Sequence, residues 1–113
     1  MGANTGADKS SPLSMTTTGQ TSSVITVVVT GDVDLVTSPQ LRDKVGECLD
    51  AGPRAVVIDM TGVNFCDSSG LTVLVALSRI CTASSIDLEV VPSRVVRRVL
   101  ELTGLTGTLN VSE

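Results

Sequence analysis

Apolar positions along this chain switch between a period of two and a period near 3.6, and each switch marks an element. Leu13, Met15 and Thr17 alternate with polar neighbours, and Val24 to Thr30 is β-branched throughout. Two strands joined at Gly19-Gln20 are predicted, a hairpin whose second member is the stronger. Leu41, Val45 and Leu49 then recur at i, i+4 and i+8 with Cys48 beside them. They predict a helix with Ser38 as N-cap, Pro39 as first residue and Gly52-Pro53 as its end. The run AVVIDM at 55–60 suits a central strand buried on both faces. TGVNF turns the chain into a second helix from about Ser68 to Thr82. IDLEVV (86–91) reads as another strand, and PSRVVRRVLELTG (92–104) as a helix capped by Ser93 and stopped by Gly104. TGTLNVSE closes with a short last strand.

The predicted order is β-β-α-β-α-β-α-β. Alternation of strands and helices implies an α/β fold with a mixed, mostly parallel sheet, an N-terminal antiparallel edge hairpin, and helices packed on the sheet. Residues 1–12 are rich in Gly, Ser, Asn and Asp and read as a disordered leader. Residues 13–113 read as one domain, and 113 residues suffice for one core.

Composition then removes whole classes of function. There is no histidine, and Phe65 is the only aromatic. General acid–base chemistry near neutral pH therefore lacks its usual side chain, and stacking platforms for single-stranded nucleic acid are missing. A net charge of −4 opposes direct binding to nucleic acid or to an anionic membrane surface. The N-terminal segment lacks the apolar stretch of a signal peptide, and Leu71 to Leu77 is too short to span a bilayer. A soluble, cytoplasmic protein is expected. Cys48, Cys66 and Cys81 are odd in number and widely spaced, which suits buried thiols better than a disulfide framework or a zinc site. Cys66 adjoins Asp67, whose charge raises a thiol pKa, so redox sensing there is disfavoured.

The stretch FCDSSGLTVL (65–74) carries the chemistry that remains. It lies between a buried strand and a helix, where functional loops of α/β folds collect. Asp67 or Ser68 is placed to cap the helix, the simplest reading of an acid and two hydroxyls there. A phosphate on a serine at this point would add about −1.5 to −2 charge to one loop. That would alter a binding face while leaving the fold intact. In the helix that follows, Leu71, Leu74, Val75 and Ser78 form one stripe, and the offset Val73 and Leu77 are candidates for an exposed apolar patch. Catalysis is disfavoured: Ser68 and Ser69 have no histidine, and nothing brings Lys9 or Lys44 to them. Asp32, Asp34, Asp59 and Asp67 read as caps and turns in preference to a Mg²⁺ site. Neither metal nor cofactor is expected, and the chain is not read as an enzyme.

At VNFCDSSGL the sequence resembles the anti-sigma factor antagonists, the bacterial single-domain members of the STAS fold. The family pattern is met by Val63, Phe65, Cys66 and Asp67 to Leu71. VTGDVDLVTSPQL (29–41) and VVPSRVVRRVLELTGL (90–105) resemble two further family segments, so the likeness covers about residues 13–111. Departures are Cys66, where a larger aliphatic is commoner, the leader before Leu13, and an end at Glu113 where members usually continue into another helix.

The resemblance implies a STAS-like fold and a phosphorylation-controlled regulator of bacterial transcription in the stress response. The dephosphorylated form would bind an anti-sigma factor that is also a serine kinase, releasing its sigma factor. Phosphorylation of Ser68 would end binding, and a metal-dependent serine phosphatase would restore it. The switch loop and partner face would comprise Asp32, Asp34, Asp67, Ser69, Gly70, Val73 and Leu77. Two alternatives stay open on the same fold: an accessory subunit of a transporter, and a module sensing a small ligand such as a nucleotide. A monomer or weak homodimer is expected.

Overall fold

The hairpin and the alternating elements form in the predicted order as far as the third helix. The computed structural model describes residues 13–18 and 23–112, so the Gly19-Gln20 turn and the leader lie outside the described residues. Strand β1 (Ser14–Thr18) runs antiparallel to β2 (Val24–Val33), with Met15 opposite Val29 and Thr17 opposite Val27. β2 then pairs in parallel with β3 (Ala55–Cys66), and β3 with β4 (Asp87–Pro92), giving the spatial order β1, β2, β3, β4. Helix α1 (Ser38–Asp50) links β2 to β3, α2 (Ser68–Ala83) links β3 to β4, and α3 (Arg94–Leu102) follows β4.

Two parallel crossovers of one hand, advancing in one direction, bring their helices to the same side of a sheet. α1 and α2 accordingly pack against each other. The parallel register sets Val27, Ile58 and Val90 side by side beneath them, with Ile25, Val56 and Leu88 as a second row. Both rows are buried. The alternate positions, Thr26, Val57 and Glu89 and then Val28, Asp59 and Val91, are only half-buried. The run at 55–60 is thus buried on one face, not on both, because the two crossover helices cover a single side.

Three other expectations change. Val73 and Leu77 are buried, with Leu77 1% exposed. Leu77 borders a surface depression formed with Arg42, Gly46 and Glu47 of α1. The offset pair that looked spare on a helix against a sheet faces the neighbouring helix, and a helix with neighbours on two sides carries a wider apolar arc. Thr37, not Ser38, occupies the N-cap position of α1, and Ser38 is buried. The final segment forms a 3-10 turn (Leu105–Gly107) and a single bridge between Val111 and Val90 in place of a strand. Ser93 does cap α3, its hydroxyl accepting from the Val96 amide at 3.1 Å, and Gly104 follows with a positive φ of 76°.

Leu77→Ala discriminates the buried position from a surface one. A core leucine should cost about 2–5 kcal/mol in urea unfolding, whereas a surface side chain would shift stability by no more than about 0.5 kcal/mol.

Candidate functional site

β2 and β3 outrun β4, whose last partner is Met60 opposite Pro92. Beyond it the pairs continue as Thr30–Gly62, Gly31–Val63, Asp32–Phe65 and Val33–Cys66. The register shifts twice on the way, between Val28 and Thr30 and between Gly31 and Asp32, and each shift gives β3 one extra residue. Such bulges break the in–out alternation and re-aim the side chains that follow. Phe65 therefore stands 48% exposed while Cys66 turns inward and is buried. Gly31 supports the distortion on β2 with a φ of 106°, a conformation that side chains with a Cβ seldom adopt.

The Asp67 amide donates to the Val33 carbonyl at 3.1 Å, so the β2–α1 turn and the β3–α2 junction leave the sheet side by side. Asp67 has extended backbone and caps α2. Its Oδ1 accepts from the Ser69 amide at 2.9 Å, the Gly70 amide at 3.3 Å and the Ser69 hydroxyl at 2.5 Å. The orphan donors at the positive end of the helix are thus held by a carboxylate already present in the chain. Between the two candidate caps the acid is the one used.

That geometry distinguishes the two serines. Ser69 is half-buried and its hydroxyl is spent on Asp67. Ser68, the first residue of α2, is exposed, and its hydroxyl makes no hydrogen bond among the described residues. Its carbonyl accepts from the Thr72 hydroxyl one turn on, at 2.9 Å.

Across the junction, Asp34 organises the turn before α1. Its Oδ1 accepts from the Val36 and Thr37 amides, each at 3.0 Å, and its own amide donates to Thr37 Oγ1 at 2.9 Å. Thr37 Oγ1 has one proton and two acceptors in reach, the Asp32 carbonyl at 2.8 Å and Asp34 Oδ1 at 3.1 Å. The Thr37 amide leads the interactions that hold the Asp34 carboxyl below its ordinary value, outweighing the opposing effect of burial. This bond network presents Leu35 and Val36 outward, 75% and 76% exposed.

Asp32, Asp34, Asp67, Ser68, Ser69 and Gly70 are therefore brought together at the paired junctions, whereas Val73 and Leu77 lie in the core. The exposed apolar residues at this end are Leu35, Val36 and Phe65, which periodicity passed over. Their signal was present: in DLVTSP two aliphatics sit between a turn-forming acid and a helix start, outside any periodic element.

Gly70 is held by close packing. A Cβ there would lie 2.7 Å from Val33 Cγ1 and 2.8 Å from Cys66 Sγ. Burial, and then the Asp67 carboxylate, push the Cys66 thiol up to about 11, which disfavours the reactive thiolate. Burial also raises the pKa of Cys48 and Cys81. Among the described residues, no group of acids or thiols is arranged to hold a metal ion, and no helix is long and apolar enough to cross a membrane. Gly70→Ala should force α2 away from β2 and lower stability by about 1–3 kcal/mol, as overpacking of a filled site does. Urea unfolding beside the wild type checks this.

Comparisons with known proteins agree with this architecture. The STAS domain family model matches residues 15–113. The chain is 34% identical over 103 residues to the anti-sigma-F factor antagonist RsfB of Mycobacterium tuberculosis, covering 90% of this chain and 84% of that protein. The crystal structure of an anti-sigma factor antagonist from Mycobacterium paratuberculosis superposes with a TM-score of 0.78 at 31% identity, covering 88% of this chain and 85% of that one. The unphosphorylated form of the anti-sigma factor antagonist SpoIIAA shares the fold at a TM-score of 0.73 and 20% identity, covering 88% of this chain and 89% of that one.

Proposed function

Because the chain belongs to the STAS domain family, we propose that it is an anti-sigma factor antagonist switched by phosphorylation of Ser68. In its dephosphorylated state it binds an anti-sigma factor with serine kinase activity and so frees a sigma factor. A metal-dependent serine phosphatase reverses the modification. The setting is the bacterial cytoplasm, and the chain performs no catalysis itself. RsfB and the Mycobacterium paratuberculosis protein, both antagonists by name and both above 30% identity, support the role.

The observation that carries the switch is the contrast between Ser68 and its neighbour. Ser68 offers an exposed, unbonded hydroxyl, while Ser69 is tied to Asp67. The surroundings favour a docking face: Leu35, Val36 and Phe65 supply exposed apolar area beside the serine, and Asp34 holds its turn rigidly. Magnitudes decide what the phosphate does. Two unit charges roughly 6 Å apart repel by about 0.7 kcal/mol in water, so a phosphate beside Asp67 costs the exposed fold only about 1–1.5 kcal/mol. The same charge pressed into an interface meets lost solvation and like charges, a penalty of several kcal/mol. The modification therefore acts on docking.

Ser68→Asp should weaken binding to the anti-sigma factor kinase of the source organism about a hundredfold or more, at about 1.4 kcal/mol per tenfold. Ser68→Ala should bind yet accept no phosphate, and Ser69→Ala should still be phosphorylated at Ser68. Calorimetric titration and phosphosite mapping read these outcomes. Unchanged binding by Ser68→Asp would refute the switch.

A further inference from the structure

The two edges of the sheet differ in how they are protected. At β4 the chain closes its own edge. The Val90 amide donates to the Asn110 carbonyl and the Ser112 amide to the Val90 carbonyl, each at 2.9 Å, so the segment after the 3-10 turn lies alongside the strand. β4 also carries Asp87, Glu89 and Pro92, and charges and proline keep an edge strand from pairing with another chain. β1 has none of these devices. Among the described residues it pairs with β2 alone, in an unbroken register from Ser14 to Thr18, and no second strand joins it. Its sequence, SMTTT, holds neither charge nor proline, and the whole stretch 10–31 is without a charged side chain. An edge in this state is open to strand addition.

We propose that β1 is the seam of a homodimer, in which two copies add edge to edge and join two four-stranded sheets into one continuous sheet. The strand's own residues select a second copy as the occupant. An antiparallel self-pairing centred on Thr16 sets Thr16 against the partner's Thr16, Met15 against the partner's Thr17 and Ser14 against the partner's Thr18. Its two-fold axis stands perpendicular to the sheet, so each face of one copy continues into the same face of the other. Ser14, Thr16 and Thr18, exposed in the single chain, then form a ladder of hydroxyl pairs, cross-strand neighbours that stabilise a sheet. Met15 and Thr17, half-buried, extend the core row of Val29 and Val27 across the seam. Beside them, α1 borders a depression of about 210 Å³ with Thr17 and Ile25, and its rim carries Lys44 and Glu47. These opposite charges lie on adjacent turns, and antiparallel copies of α1 can pair them reciprocally. A short strand of small side chains buries less than the roughly 1,200 Å² of stable interfaces, so the dimer is weak, with a Kd of about 10–100 μM. Reversal of strand direction puts the two Asp67–Ser68 corners at opposite ends of the joined sheet. The dimer is therefore bivalent, and its formation is independent of the Ser68 switch.

Sedimentation velocity of the full-length chain from about 5 to 500 μM tests the seam, and the wild type should pass from monomer to dimer across that range. Thr16→Lys and Thr16→Glu, each at an exposed position, should weaken association at least about tenfold, because like charges then face one another on the axis. An equimolar mixture of the two variants should recover the dimer. Circular dichroism confirms that each variant is folded, and amide hydrogen exchange of the wild type gives a readout without any substitution. Protection along β1 should rise with protein concentration. A wild type that stays monomeric throughout overturns the proposal. So does a dimer that forms equally well in both Thr16 variants, or one whose β1 exchange ignores concentration, since the contact then lies elsewhere. Ser68→Asp should dimerise as the wild type does, and loss of the dimer in that variant would place the contact at the Ser68 corner and overturn the seam. None of these outcomes depends on kinase binding, so the seam and the switch stand or fall separately.

Discussion

The Asp67 carboxylate at the N-terminus of α2 is the interaction on which the site depends. One oxygen gathers two backbone amides and a hydroxyl, and the same residue's amide ties the junction to Val33. A helix N-terminus attracts anions, and here the position is filled from within the chain. Ser69 is consumed by the arrangement and Ser68 is left facing solvent. A phosphate added at Ser68 would find the Ser69 and Gly70 amides occupied and would remain an added charge on the surface. The cap that stabilises the helix is thus also what makes the neighbouring hydroxyl suited to signalling.

The sheet supplies the rigidity this requires. Nearly all the core is aliphatic, stacked in register rows across β2, β3 and β4 under α1 and α2. The extension of β2 and β3 beyond β4, with two bulges in β3, carries the junctions clear of the core and turns Phe65 out beside them. Gly70 lets α2 sit directly on Val33 and Cys66. The DSSG junction, the acidic turn and the apolar patch therefore share one corner, and a modification there would change what the corner presents while the core beneath it kept its packing.

The element order, the hairpin, the Ser93 cap and the DSSG junction were legible in the sequence because each is local: β-branched runs, i, i+4 spacing and capping residues sit within a few positions of one another. Most of what escaped was non-local; the exposed Leu35 and Val36, set by bonds two and three residues apart, are the local exception. The two bulges extend β3 to Cys66 through TGVNF, whose broken alternation looks like a turn. The burial of Val73 and Leu77 depends on α1 lying beside α2, which helical periodicity against a sheet does not encode. The exposure of Leu35 and Val36 follows from the Asp34 and Thr37 bonds. The final strand reduces to one bridge at Val111, because the 3-10 turn uses the residues that would have paired.

The central claim is that phosphate is added at Ser68 with the Asp67 cap intact. Amide NMR of protein carrying phosphoserine at position 68, titrated through the phosphate pKa near about 6, tests it most directly. The account predicts that the Ser69 and Gly70 amides keep their bonds to Asp67 and barely follow the titration, while resonances around Leu35, Val36 and Phe65 shift modestly. Large downfield shifts of the Ser69 and Gly70 amides tracking phosphate ionisation would mean that the phosphate had displaced Asp67 from the helix end. The switch would then work by rebuilding the loop, contrary to this account.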